Sequence, residues 1–220
     1  MNSFSLGDAR REFFAQRSPW ALVLICLAAW TARVTVWQQL TIIDAAIVLG
    51  TLVYWPFQEW WMHRWLLHLK PIKIGRFEFE AHFAKTHRQH HENPECLDGI
   101  FLPLRSILVA GLAFTGLGIL LLPEPQYAFT LLGTASFATI NYEWIHYLTH
   151  TRYRPKSDYY RKIWRLHRWH HYKNEHYWFS FTLPYIDAAL GTGPEPSKIP
   201  RSGTARTLRP LTADELTEHT

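Results

Sequence analysis

Apolar residues in this chain gather into four long runs. Residues 19–37 (PWALVLICLAAWTARVTVW) are almost continuous, interrupted by Arg33 and two threonines. Residues 42–57 (IIDAAIVLGTLVYWPF) carry on through an aromatic stretch to Leu69, and residues 100–122 and 127–148 form the third and fourth runs. A bilayer-crossing helix needs about 20 mostly apolar residues. The first and third runs meet that outright, and the second and fourth meet it with their polar ends at the interface. The pattern therefore predicts helical spans over about 19–37, 42–62, 100–122 and 127–148. The first run is too long for a signal peptide and lacks a small-residue cleavage site.

Four buried helices of a soluble all-α domain would give similar runs, and charge placement argues against them. The connections 38–41 and 123–126 contain no Lys or Arg. Apart from Arg33 and Arg105, which lie inside runs, the other 21 of the 23 basic residues fall before position 19, within 64–88 or after 151. With four spans those three segments share one face, as the basic excess of cytoplasmic loops requires. Trp20, Trp37, Trp55, Trp60, Trp61 and Trp144 stand near the run boundaries, where interfacial belts place tryptophan. The expected organisation is a cytoplasmic segment 1–18, a membrane domain 19–193, and a Pro/Ser/Thr-rich mobile tail 194–220. The cytoplasmic mass would be 58–99 and 150–193.

Composition narrows the chemistry. With 48% hydrophobic and 15% aromatic residues the chain is not a disordered tail protein. Its mean hydropathy of −0.15 conceals the segregation described above. The net charge of +5 follows the topology, and no recognition motif accompanies it, so no nucleic-acid partner is expected. Two cysteines, Cys26 and Cys96, with no CxxC exclude a disulfide framework and a Cys-ligated cluster. There are 13 histidines, twelve of them between His63 and His176.

Ten of these form four clusters: His63 and His68; His87, His90 and His91; His146 and His150; His167, His170 and His171. At about 100° per residue, positions i, i+3 and i+4 of a helix fall within one arc of about 100°. Each His-x2-His-His set can thus aim its rings to one side, and His146 and His150 stack on one face. His63 and His68, five apart, are about 140° around a regular helix. Either the helix loosens there or the two rings serve different metals. Ten imidazoles exceed the four ligands of a structural zinc site. They suit two metals of about five nitrogens each, and imidazole suits iron, zinc, copper and nickel alike. Glu59 and Glu143 stand just before a cluster, where either carboxylate can accept a ring N–H and fix its tautomer. Asn174, Glu175 and Glu92 are weaker candidates for that role. His82 and His176 lie outside the pattern, as supporting or substrate-channel residues, and His219 has no expected role. Trp65, Tyr147, Trp169 and Tyr172 are candidate channel walls.

The motifs EWWMHRWLLH at 59–68, HRQHH at 87–91, HYLTH at 146–150 and HRWHHYKN at 167–174 resemble the fatty acid hydroxylase and sterol desaturase superfamily, most closely its fatty acid 2-hydroxylase branch. The resemblance covers about residues 55–193 and extends to FSFTLPYIDAALGT at 179–192. It implies an all-α fold: a four-helix transmembrane base with a cytoplasmic helical cap that holds a dinuclear metal site. Carried over position by position, the ligands are His63, His68, His87, His90, His91, His146, His150, His167, His170 and His171. It implies two iron ions, with zinc able to replace them in purified protein, and dioxygen as co-substrate. No haem domain is appended, so a separate cytochrome b-type or ferredoxin-like electron donor is expected. The segment Leu183-Pro184-Tyr185-Ile186-Asp187 departs from the Trp-Asp pair common in eukaryotic hydroxylases, which bears on substrate identity.

The expected activity is hydroxylation of an alkyl C–H bond of a bilayer lipid, a fatty acyl chain first of all. Sterol or carotenoid hydroxylation or desaturation at the same site is the alternative. A metal transporter is a distant third, because transport ligands lie near the bilayer midplane and these clusters lie at helix ends.

Overall fold

The computed structural model describes residues 4–208. In chain order the helices are α1 (Leu6–Phe14), α2 (Arg17–Val36), α3 (Ile42–Trp61), α4 (His82–Glu92), α5 (Leu104–Leu121), α6 (Gln126–His150), α7 (Asp158–Tyr172) and α8 (Tyr185–Ala189). The fold is mostly helical as expected, with one departure: strands β1 (Ile72–Ile74) and β2 (Phe77–Phe79) pair as an antiparallel hairpin. Contacts divide the chain into two units, Met1–Trp55 with Phe101–Tyr147, and Pro56–Ile100 with Leu148–Thr220.

In the first unit, α1 begins with a capping box in which the Ser5 hydroxyl accepts the Asp8 N–H and the Asp8 carboxylate accepts the Ser5 N–H. That helix is not a loose leader. Phe13 is buried among the rings of Phe101, Trp144 and Tyr147. The Tyr147 hydroxyl donates to Glu12 (2.5 Å), and Ser18 donates to Glu143 (2.7 Å). The third run becomes helical only at Leu104, because Pro103 caps it in an extended conformation. Helices α5 and α6 approach so closely that a Cβ on Gly118 would sit 2.8 Å from that of Ala128.

Helices α2 and α5 are long and apolar enough to cross a membrane. Their outer faces are hydrocarbon: Leu108, Val109, Leu112 and Leu120 of α5 are all at least 61% exposed. The charged residue in the last turn of α2, Arg33, is fully buried and paired. Its guanidinium donates to both Asp44 oxygens (2.8 and 2.5 Å), and Thr130 on α6 donates to Asp44 as well (2.5 Å). An ion pair thus ties α2, α3 and α6 together where each carries an otherwise costly polar group.

In the second unit, α3 does not stop at Trp61 but widens into a π-helical stretch, Met62–Leu67. Helices α4 and α7 are amphipathic, and the faces they bury are built from histidine: His87, His90 and His91 on α4, and His167, His170 and His171 beside Ile163 on α7. Ser157 caps α7 by accepting the Tyr160 N–H.

The stretch expected to be a mobile tail is fastened at points as far as Leu208: Ala205 and Leu208 are buried, while Lys198, Pro200, Arg201 and Gly203 are exposed. It carries no apolar periodicity because polar bonds hold it: Ser202 N–H donates to the Lys173 carbonyl, and Arg88 donates to the carbonyl of Leu208 (3.0 Å). The rest of the predicted tail, including His219, lies outside the described residues.

Candidate metal centre

Within the second unit the histidines form two adjoining sets. His63, His68, His87, His91 and His170 bring one ring nitrogen each to within 4.8 Å of one another. His90, His150, His167 and His171 do the same. His146 is buried one turn before His150 on α6, on the other side of the division between the units. The sets adjoin through His91 and His171, whose ring centres are 4.1 Å apart.

The helix does loosen between His63 and His68. In π-helical bonding the repeat lengthens to i→i+5, so a five-residue spacing returns to one face, and both rings join the same set. The His-x2-His-His motifs behave otherwise than their spacing suggested. Each divides: the i, i+4 pair His87/His91 enters the first set and His90 the second, while His167/His171 enter the second and His170 the first.

The donor atoms fit metal ions. Two ligands at right angles, about 2.1 Å from one cation, lie about 3 Å apart. His63 and His87 bring their Nε2 atoms to 3.1 Å. His150 and His167 stand at 2.7 Å, His167 and His171 at 3.0 Å, and His90 and His150 at 3.1 Å, all through Nε2. With the ring protons on Nδ1, as the Phe179 carbonyl fixes for His63, such a pair points two lone pairs at the space a cation would fill. The Nε2 atoms of His68 and His170 are buried without a hydrogen-bond partner among the described residues. A buried polar atom left in that state costs about 1–3 kcal/mol, which a metal bond would remove.

Backbone carbonyls set the tautomers. Nδ1 of His63 donates to the Phe179 carbonyl, Nδ1 of His170 to that of Tyr177, and Nδ1 of His91 to that of Ala205, each at 2.7 Å. A carbonyl can only accept, so these rings carry the proton on Nδ1 and present the Nε2 lone pair inward. The Tyr177 and Phe179 carbonyls reach their rings because Trp178 between them adopts a left-handed conformation (φ 60°). That strained turn is held by Asp187, which accepts from the Phe179 N–H (2.9 Å), the Ser180 N–H (2.8 Å) and the Thr192 hydroxyl (2.7 Å). The Ala205 carbonyl is held by Thr204 and Ser202, both donating to Glu175, and by Arg206, which donates to the carbonyls of His91 and Glu92. Gly99 leaves room for His90, whose Cβ lies 3.1 Å from where a Gly99 side chain would begin.

Burial disfavours the imidazolium of His63, His68, His87, His170 and His171. It brings His63 down to about 4, partly opposed by the Phe179 carbonyl. Burial first, and then mutual repulsion among the rings, lowers His68, His87, His170 and His171 well below the ordinary range. These five rings are therefore neutral at physiological pH, the form in which imidazole binds metal.

The supporting residues named from sequence fall differently. Glu59 accepts from the Thr182 N–H and hydroxyl (3.1 and 2.7 Å), while the N–H of His63 goes to a carbonyl instead. The Glu143 oxygens take the Ser18 hydroxyl and the Leu102 N–H (2.8 Å). Asn174 caps its own turn, accepting from the His176 N–H (3.1 Å). His176 is exposed, with Nε2 3.5 Å from Glu175. Of the proposed channel walls, Tyr147 is wholly buried in the aromatic cluster around Phe13, and Trp169 packs on Trp178. The positioning carbonyls and the strap at 200–208 were missed, since no side-chain signal marks a carbonyl. The Asp187–Thr192 pair was visible only as part of the segment after the last histidines.

The profile described as fatty acid hydroxylase matches residues 48–192, most of the chain and all ten histidines. The chain belongs to the fatty acid hydroxylase family. It is 27% identical to human fatty acid 2-hydroxylase over 167 residues, covering 74% of this chain and 43% of the human protein. It is also 27% identical to the dihydroceramide fatty acyl 2-hydroxylase FAH2 of Arabidopsis thaliana over 188 residues, covering 83% of this chain and 76% of that one. Against the animal relatives, then, it spans less than half their length. The solved structure of full-length scs7p, of which only the hydroxylase domain is visible, shares the fold with a TM-score of 0.68 at 22% identity, over 84% of this chain and 68% of that one.

Proposed function

We propose that this chain is a membrane-embedded dinuclear-metal oxygenase that hydroxylates an alkyl C–H bond of a lipid acyl chain. The observation that carries the reading is the pair of adjoining, largely buried imidazole sets within a fatty acid hydroxylase family chain. His63, His68, His87, His91 and His170 would hold one ion. His90, His150, His167 and His171 would hold the other. Iron is the metal this reading requires, and when bound the pair would supply the redox chemistry that an unactivated C–H bond demands. The chain's own residues keep that chemistry productive. The Phe179, Tyr177 and Ala205 carbonyls hold three rings in the ligating tautomer before metal arrives, so little reorganisation is needed on binding. Burial of the rings keeps water away from the reacting centre.

The proposed setting is a four-span base, α2, α3, α5 and α6, with both termini and the metal site on the cytoplasmic face. The support is the basic residues clustered in the segments outside the runs and the hydrocarbon faces of α2 and α5. Electrons would come from a separate carrier protein. The relatives' names point to the acyl chain of a free fatty acid or a ceramide as the substrate class.

Lipid mass spectrometry of host cells with and without the chain, under heavy-isotope dioxygen, tests the reading. The expected product is an acyl chain that has gained one labelled oxygen atom. Loss of two hydrogens instead would make the chain a desaturase, and an unchanged lipid profile in cells with iron-loaded protein would contradict the oxygenase assignment.

A further inference from the structure

The hairpin of β1 and β2 plays no part in the metal centre, and its surface does not suit water. Its register pairs Ile72 with Phe79 and Ile74 with Phe77. Side chains alternate faces along a strand, so these four residues share one face, and they are 56%, 66%, 69% and 68% exposed respectively. The opposite face carries Lys73 paired across from Glu78. Two three-residue strands with an uncovered apolar face are marginal on their own, and exposed patches of this kind mark an interaction surface.

The base of the hairpin is rigidly held. Arg88, next to His87 on α4, donates to the Glu80 carboxylate (2.9 Å) at one end and to the Leu69 carbonyl (3.3 Å) at the other. Cations rim the apolar face: Lys70 stands at the base, and Arg76, at the turn beside Gly75 (φ 60°), lies over the Phe77 ring at 5.2 Å. Neither has an acidic partner within ion-pair distance among the described residues. The chain leading into the hairpin exposes Trp61, Trp65 and Leu69.

We propose that the hairpin 72–79 is a lipid-docking prong. Its Ile72/Ile74/Phe77/Phe79 face enters the interfacial layer of an anionic leaflet, with Lys70 and Arg76 against the headgroups. Aromatic and aliphatic side chains on one face with basic residues around them are the composition that seats elements in that layer, and the basic pair complements anionic lipid. Through Arg88 the prong would fix the helix that carries His87, His90 and His91 relative to the headgroups. The inference rests on the membrane setting proposed above.

The test uses the full chain in a Cys26→Ser, Cys96→Ser background, with single cysteines introduced by Phe77→Cys, Glu78→Cys or Val109→Cys. Each is labelled with an environment-sensitive fluorophore and reconstituted into phosphatidylcholine vesicles containing spin-labelled lipid, with or without phosphatidylserine. Label at 77 should be quenched about threefold more strongly than label at 78, because neighbouring strand positions face opposite ways. Removing phosphatidylserine, or adding Lys70→Gln and Arg76→Gln, should weaken the quenching at 77. Equal quenching at 77 and 78, with strong quenching at 109 on α5, overturns the prong and leaves the membrane setting standing. An unquenched label at 109 overturns the membrane setting and the prong with it. Protection of 77 by an added acidic electron-carrier protein and not by lipid overturns the prong in favour of a protein dock.

Discussion

Tyr177 and Phe179 serve the centre through their carbonyls, and Trp178 between them bears the strain that lets both carbonyls reach a ring. Asp187 makes that turn affordable by collecting two N–H groups and a hydroxyl. Asp187→Ala should therefore weaken metal binding at the first set about 10–100-fold, the usual cost of losing an outer support of a ligand. The second set, whose rings take none of these bonds, should keep its affinity. Chelator competition followed by metal content would show two release phases in the variant where the parent shows one. The histidine identities were legible from sequence because their spacing repeats. The carbonyl partners were not, since every residue has a carbonyl and only the folded turn selects three of them.

At the scale of an element, the π-helical stretch decides whether His68 belongs to the centre. An alanine inserted after Trp65 would place His63 and His68 six apart, which neither an α-helical nor a π-helical turn returns to one face. Metal at the first set should be lost. Deleting Trp65, which is half exposed, would leave them four apart, a spacing that a regular helix aligns, and metal should be retained. Metal content of the two purified variants checks both outcomes. In the first unit, Asp44→Ala would strand the fully buried Arg33 guanidinium, at a cost of about 3–5 kcal/mol. Replacing both residues with leucine should cost less, and thermal unfolding in detergent should rank parent, double variant and single variant in that order. The ion pair itself was hidden from the sequence, where Arg33 reads only as an interruption of an apolar run.

For the whole molecule, the apolar runs anticipated the four long helices within a few residues, because length and hydrophobicity set them locally. The strap 200–208 escaped notice for the opposite reason: Ser202, Thr204 and Arg206 hold it by polar bonds to Glu175, His91 and Glu92, and such bonds leave no periodic trace. The hairpin was absorbed into a basic, aromatic segment whose two three-residue strands were too short to stand out. Ending the chain after Ile199 should remove the Ala205 carbonyl from His91 and lower metal occupancy at the first set. Ending it after Leu208 should not, and metal analysis of the two truncated proteins separates these cases.

The central claim is that largely buried imidazoles form a cage for two metal ions. The direct measurement is the transition-metal content per chain of protein purified from iron-supplemented cells, beside a His170→Ala variant. The account predicts two ions per parent chain, iron or the zinc that replaces it, and about one in the variant, with turnover abolished and membrane insertion unchanged. A folded parent chain with no bound transition metal, or a variant that keeps both ions and full turnover, would contradict it.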